Sequence, residues 1–252
     1  MKISYINDLH VDNWINYENE IGGFVDEIIT SSKNIGEVII IAGDISHFNS
    51  ITEQVLLKFS NYFEKVFFVY GNHDYYIINH TQYKQYNNNS INKLDELYNK
   101  LKKNDNIIIF NHNNIYYDYK NLRFAGCTMT SKPETEEGIM FYQYHMNDYK
   151  FIPNDVNDMN NIDMKIYNEI SKLKPDIFIS HYPLFVTNSH LKFGLESLSS
   201  FMCKVDKYTA PINFFGHVHE KDEYNIDGYK FFTNAYGYSF EYLNAEIQTM
   251  EV

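Results

Sequence analysis

The feature that most restricts the fold of this chain is a recurrence of short β-branched and aromatic runs, each separated from the next by a longer segment of helical period. The runs are "KISYIN" (Lys2–Asn7), "EVIIIA" (Glu37–Ala42), "KVFFVY" (Lys65–Tyr70), "NIIIF" (Asn106–Phe110), "LRFAGC" (Leu122–Cys127), "PDIFIS" (Pro175–Ser180) and "PINFF" (Pro211–Phe215). Between them, "ITEQVLLKFSNYF" sets Ile51, Val55, Phe59 and Tyr62 on one helical face. "SINKLDELYNKLKKN" does the same with Ile91, Leu94, Leu97 and Leu101, and Ser90 is its expected N-cap. "MKIYNEISKLK", from Met164, stops at Pro175, as helices do. Strand–helix–strand alternation predicts an α/β domain with largely parallel central strands. The end differs: Asp227-Gly228 reads as a hairpin turn, and "SFEYLNAEIQTMEV" reads as a further strand pair. Asn87–Ser90 and the acidic stretch Pro153–Asp163 are expected to be mobile loops. With no internal repeat and no linker, residues 1–252 are expected to form one domain.

Five of the seven runs end on a turn that could ligate a metal. After the first come Asp8 and His10; after the second, Gly43-Asp44 and His47; after the third, Gly71-Asn72-His73-Asp74. The sixth ends in Ser180-His181 and the seventh in Gly216-His217-Val218-His219. Ligands of open α/β sheets bind at the carboxyl ends of strands, where such turns converge. Imidazoles with hard oxygens and no thiolate make a metal-site inventory. A D-x-H or H-x-H pair two residues apart sends both side chains to one side, and the preceding glycines let the backbone turn sharply. The set is too large for one ion and suits two that share Asp44. Paired metals roughly 3.5–4 Å apart hydrolyse phosphate esters by clamping the phosphoryl oxygens around a bridging hydroxide nucleophile.

"DLH", "GDISH", "GNHD", "SHYP" and "GHVH", in this order, resemble the five blocks of the calcineurin-like metallophosphoesterases, and the resemblance runs from Asp8 to "NAYGYSFE". "RFAGCTMTS" and "MNDYKFI" are similar to the middle of small single-domain bacterial or phage members. The resemblance implies a four-layer sandwich of two mixed β-sheets flanked by helices. It allots Asp8, His10, Asp44 and His219 to one metal, and Asp44, Asn72, His181 and His217 to the other. Manganese is the first expectation for both ions, with iron or zinc as alternatives. His73 is implied as the acid or transition-state stabiliser beside Asp44 and Asn72.

The expected activity is a two-metal phosphodiesterase on a small or nucleotide-type substrate. A nuclease of the same chemistry is the second reading, since "GDISH" resembles the form found in double-strand-break repair nucleases. A phosphomonoesterase is less favoured, because His47 replaces the second aspartate of the protein phosphatases and no arginine follows. A non-catalytic metal-binding scaffold comes last. A formal charge of -12 disfavours a nucleic-acid coat or an acidic membrane as partner, leaving nucleic acid only as substrate. Two cysteines, no leader and no membrane-length apolar run suggest a soluble cytoplasmic protein. His47, Asn147 and Asp148 are candidate substrate contacts, and Tyr142, Tyr144 and Tyr149 could wall a nucleoside. Asp74 reads as a backbone-binding acid, Cys127 as a core residue, and His80, His112, His145 and His190 as ordinary surface or structural histidines.

Overall fold

The apolar runs become parallel strands of two sheets in a computed structural model that describes residues 1–195, 201–241 and 246–252. In chain order the elements are β1 (Lys2–Ile6), α1 (Ile21–Ser31), β2 (Val38–Ile41), α2 (Asn49–Phe59), β3 (Lys65–Val69), α3 (Asn72–Tyr75), α4 (His80–Gln85), α5 (Ser90–Leu101) and β4 (Ile107–Phe110). Then come β5 (Tyr116–Tyr119), β6 (Leu122–Gly126), α6 (Glu136–His145), α7 (Asp148–Phe151), α8 (Val156–Leu173), β7 (Ile177–Ile179) and α9 (Asn188–Phe193). β8 (Ile212–Phe214), β9 (Lys221–Ile226), β10 (Tyr229–Asn234) and β11 (Gln248–Glu251) complete the described chain. The first sheet runs β11-β1-β2-β3-β4 and the second β5-β6-β7-β8-β10-β9. β1 to β4 are mutually parallel, as are β6, β7, β8 and β10, while β11, β5 and β9 are antiparallel edges.

Strand period decides which side chain enters which layer. Val38, Ile40, Phe67, Val69, Ile108 and Phe110 face the second sheet and meet Phe124, Ile177, Ile179, Phe214 and Phe232. Phe67 and Phe124 stack there with ring centroids 4.1 Å apart. The alternate residues Ile39, Ile41, Val66, Phe68, Ile107 and Ile109 pack on Val25 and Ile28 of α1, Val55 and Phe59 of α2, and Leu94 and Leu97 of α5. On the far side of the second sheet, Phe178 and Phe231 meet Tyr167 and Ile170 of α8. Two mixed sheets covered by helices make the four layers expected.

The local corrections have simple causes. The stretch expected to be a mobile loop, 153–163, holds the first turns of α8: Asp155 Oδ1 accepts the amides of Asn157 and Asp158 at 2.8 and 3.2 Å, and Met159 and Asp163 are buried. α5 is capped by Asn89, whose Oδ1 accepts the Ile91 amide at 2.8 Å; Ser90 Oγ instead donates to the Tyr75 carbonyl. The hairpin turn is as expected, with φ of 54° at Asp227 and 88° at Gly228. Instead of a strand pair, the described part of the C-terminal segment contributes the single strand β11 on β1, residues 242–245 lying outside the described residues. Among the described residues no helix is long and apolar enough to cross a membrane.

Candidate metal centre

The candidate ligands lie just past the carboxyl ends of parallel strands from both sheets. Asp8 and His10 follow β1, Asp44 follows β2, Asn72 and His73 open α3, His181 follows β7, and His217 and His219 follow β8. Strand period does not aim them. Asp8, His10, Asp44, His217 and His219 all have left-handed backbones, with φ of 52°, 42°, 57°, 73° and 44°. Each left-handed non-glycine residue costs roughly 1–2 kcal/mol, and such strain persists where surrounding contacts over-determine it. Here the Asp8 amide donates to the Gly43 carbonyl at 3.1 Å, the His10 amide to the Asp44 carbonyl at 3.0 Å, and the His217 amide to the Asp8 carboxylate at 3.0 Å. Gly43 does turn in the left-handed region, at φ 91°. Gly71 does not; it is required because a Cβ there would lie 2.1 Å from Asp44 Oδ1.

The side chains meet in two linked groups. Nε2 of His10 is 2.9 Å from Nε2 of His219 and 3.8 Å from Asp44 Oδ2, and His219 Nε2 is 3.6 Å from Asp8 Oδ1. On the other side of Asp44, His181 Nε2 lies 3.4 Å from its Oδ2. Asn72 Oδ1 is 2.8 Å from His181 Nε2 and 3.1 Å from His217 Nδ1. Their surroundings set which atom points inward. His181 Nδ1 donates to the Ala42 carbonyl at 2.8 Å and His219 Nδ1 to Glu241 at 2.7 Å, so in its neutral form each ring turns a lone pair to the centre. Asn72 Nδ2 donates to Asp148 at 2.8 Å, which turns Oδ1 inward. Carboxylates, an amide oxygen and imidazole nitrogens thus crowd one point. Divalent cations fit that arrangement.

Burial pushes the Asp8 carboxyl up, while Asp44, equally buried, is held well below the carboxylate range by His181 and His73. Burial opposes charge on His181 too, yet Asp44 and Asp8 drive it up to about 9. His10 and His217 are pushed well down by burial and by neighbouring imidazoles. Asp74, pushed up to about 7 by burial and Asp44, accepts the amides of Asp44 and Gly71 at 3.0 and 2.8 Å, the backbone-binding role its sequence position suggested.

His73 adjoins this cluster, one of its ring nitrogens lying within 4.8 Å of ligand atoms of His10 and Asp44. Its amide donates to Asp44 Oδ1 at 2.9 Å, its Nδ1 is 2.8 Å from His47 Nε2, and its Nε2 is 3.2 Å from the Tyr238 hydroxyl. Burial lowers it to about 4. His47 Nδ1 in turn lies 2.6 Å from Asp12 Oδ2. Both nitrogens of His47 are therefore engaged, one by His73 and the other by Asp12. Asp148 is likewise buried, its oxygens taken by Asn72, Tyr76 and Tyr182, so it orients Asn72.

Asn147 lines the cleft above the cluster, as do two histidines read as ordinary, His145 and His190. The aromatic wall consists of Phe141, Phe193 and Phe201, while Tyr144 and Tyr149 are exposed and do not line the cleft. Asp12, Tyr76, Tyr238 and Glu241 escaped the sequence reading. Only Tyr238 and Glu241 carried a signal, through their place in "NAYGYSFE". Cys127 is a buried core residue with its thiol pushed up by burial.

The sequence model of the calcineurin-like phosphoesterase family matches residues 1–221. A curated relative, uncharacterized protein L509 of Acanthamoeba polyphaga mimivirus, is 26% identical over 270 aligned residues, covering 95% of this chain and 92% of the relative. Among solved structures, the phosphopantetheinyl hydrolase of Mycobacterium tuberculosis superposes with a TM-score of 0.71 at 15% identity, over 99% of this chain and 95% of that one. At that identity the likeness concerns the fold.

Proposed function

We propose that this chain, which belongs to the calcineurin-like phosphoesterase family and is a metal-dependent phosphoester hydrolase, is a phosphodiesterase acting on a small or nucleotide-type ester. Asp8, His10, Asp44 and His219 would hold one divalent cation, and Asp44, Asn72, His181 and His217 a second. The observation that carries this reading is the convergence of ligand atoms on Asp44, whose Oδ2 lies 3.8 Å from His10 Nε2 and 3.4 Å from His181 Nε2. Manganese suits such a set of imidazoles and hard oxygens, and iron or zinc are the alternatives. When bound, the cations supply positive charge to the phosphoryl oxygens and make water nucleophilic near neutral pH.

The chain's own part is to hold the ester and supply a proton. Hydrolysis breaks one P–O bond, adds the oxygen of water to phosphorus, and leaves an alkoxide or phenolate that must be protonated. His73 is the donor in this reading. Asp12 can only accept, so His47 Nδ1 carries a hydrogen. With both rings neutral, His47 Nε2 accepts from His73 Nδ1, and His73 Nε2 is left as a lone pair facing Tyr238. One further proton on the pair puts a hydrogen on His73 Nε2 for the leaving oxygen, and because burial lowers His73 to about 4, it is the negative charge of the bound ester that must hold this proton there. His47 and Asp12 act through His73 as positioning residues.

The diester preference is supported by charge. Among the described residues that line the cleft there is no Lys or Arg, and residues 196–200 and 242–245 contain neither. A diester brings one negative charge where a monoester brings up to two. The lack of basic residues likewise disfavours a nuclease, whose affinity would rest on phosphate contacts. A cytoplasmic setting agrees with the two free, buried cysteines.

The test is hydrolysis of bis-p-nitrophenyl phosphate against p-nitrophenyl phosphate, with manganese and with chelator, for wild type and His73→Ala. Metal-dependent cleavage of the diester in preference is expected. Preference for the monoester would overturn the diesterase reading, and metal binding with no hydrolysis of either would overturn catalysis on simple esters.

A further inference from the structure

We infer that the outer half of the cleft is a subsite for one aromatic group carried by a singly charged phosphate ester, formed by Phe141, Met146, Phe193 and Phe201. This deepens the phosphodiesterase reading and rests on it. The cleft encloses about 320 Å³, roughly twice the about 150 Å³ that suffices for a benzene ring in an apolar cavity. One wall is the ligand cluster with His73. The cleft's apolar lining includes Phe141 of α6, Met146 just beyond it, Phe193 of α9 and Phe201. Phe141 and Phe201 meet edge to face, with centroids 5.6 Å apart at 64°. The Phe201 ring reaches within 5.8 Å of the His217 ring, so the apolar wall is continuous with the metal centre. A ring joined to phosphorus by a single ester oxygen would arrive on it.

Two further observations define the occupant. Phe193 lines the cleft and is 65% exposed. A large aromatic left open at a concave polar site marks a binding surface more than a packing one. Next, no Lys or Arg is among the described residues that line the cleft, although Lys192 beside the subsite has its Nζ 5.3 Å over the Phe193 ring. The sole arginine, Arg123, is tied to Asp118 through two bonds of 2.7 and 2.8 Å. The buried Lys93 donates to the Tyr76 carbonyl at 2.8 Å and does not line the cleft. With Asp44 and Asp148 in the lining and a chain charge of -12, polyanions are repelled while a ring is accepted.

Calorimetric titration of the manganese-loaded protein with phenylphosphonate and with methylphosphonate tests this, since the two share a headgroup and differ in the arm. Wild type is expected to bind the phenyl compound about 10-fold more tightly or better, aromatic contacts being the difference. The ratio should collapse toward unity in Phe141→Ala and fall in the exposed Phe193→Ala, a variant that removes no core packing. Equal affinities in wild type, or a ratio unmoved by either substitution, would overturn the subsite. Thymidine 5′-phosphate titrated beside phenylphosphonate tells a nucleobase from a plain aryl group: the ligand whose affinity falls in Phe141→Ala is the kind the wall serves. A ten-residue oligothymidylate is expected not to displace phenylphosphonate, and displacement that weakens with salt would contradict the proposal. If bis-p-nitrophenyl phosphate is not hydrolysed although phenylphosphonate binds selectively, the catalytic reading fails and the subsite stands.

Discussion

Nε2 of His47 lies 2.8 Å from Nδ1 of His73, and the two rings stack with centroids 4.9 Å apart at 18°. Asp12 closes the far end, so the line Asp12–His47–His73 ends on the one nitrogen that faces the cleft. His47→Ala and Asp12→Asn are therefore expected to lower kcat about 10²-fold with little change in KM, the usual scale of lost acid catalysis. The loss should be larger for an alkyl phosphodiester, whose leaving oxygen needs a proton, than for a p-nitrophenyl ester, whose phenolate leaves unaided. Steady-state kinetics on the matched pair measure it. Equal losses on both esters would mean that the relay only holds the fold of the site.

Asp44 is the carboxylate between the two ligand groups, and its removal separates metal binding from folding. Asp44→Asn should lose manganese-dependent hydrolysis by at least about 10³-fold while remaining folded, because one buried negative charge leaves a cluster already crowded with acceptors. Wild type should gain about 2.7 kcal/mol of stability at a metal concentration of roughly 100 Kd. Thermal melts with manganese and with chelator should show this gain in wild type and its loss in the variant. A manganese-induced shift of full size in Asp44→Asn would contradict the shared-ligand assignment.

Two glycines predict opposite outcomes for the same change. In Gly71→Ala the new Cβ would lie 2.1 Å from Asp44 Oδ1, so the carboxylate must move, and loss of both metal affinity and activity is expected. In Gly23→Ala, inside α1, the added atom meets nothing within 4 Å. There helix propensity and a less flexible unfolded chain should raise stability by about 0.4–1 kcal/mol, with activity unchanged. Urea denaturation of both variants reads the first quantity, and ester hydrolysis the second.

Asp163 of α8 carries a pH dependence away from the metal centre. It is buried, accepts the Thr130 amide at 2.7 Å, and is pushed up to about 6 by burial. The folded state thus holds a proton that the unfolded chain, with a pKa near 3.9, gives up earlier. Stability should fall as pH rises from about 4 to about 6, by on the order of 2–3 kcal/mol, and stay reduced above that. Asp163→Asn keeps an acceptor for Thr130 and removes the titration, so the variant should gain on wild type through that window. Denaturation midpoints at pH 4 and pH 7 measure the difference, and parallel profiles would show that Asp163 stays charged at little penalty.

The runs at β1, β2, β3, β4, β6, β7 and β8 were legible because a short β-branched run is a local property, and each observed strand lies within its predicted run. The ligand types were legible for the same reason, since aspartate, asparagine and histidine stand directly after those runs. α8 was misread from Pro153 to Asp163 because its first turns are polar, and only the sheet beneath reveals that Met159, Tyr167 and Ile170 share a buried face. The short edge strand β5 has too little pattern to stand out from its surroundings.

What the sequence determined by itself, then, was the alternation of strand and helix and the chemistry waiting at each strand end. Tertiary structure decided which of those ends meet, and what stands behind them. His10 and His219 touch across 209 positions, and Asn72 and Asp148 across 76. A parallel strand returns by a crossover that can place it beside more than one neighbour, so strand order is not written in any local run. The left-handed backbones at Asp8, His10 and Asp44, the tautomers set by Ala42 and Glu241, and the pairing of His47 with His73 all follow from that order. They arise from long-range packing and hydrogen bonding, which come into being only when the two sheets close on each other.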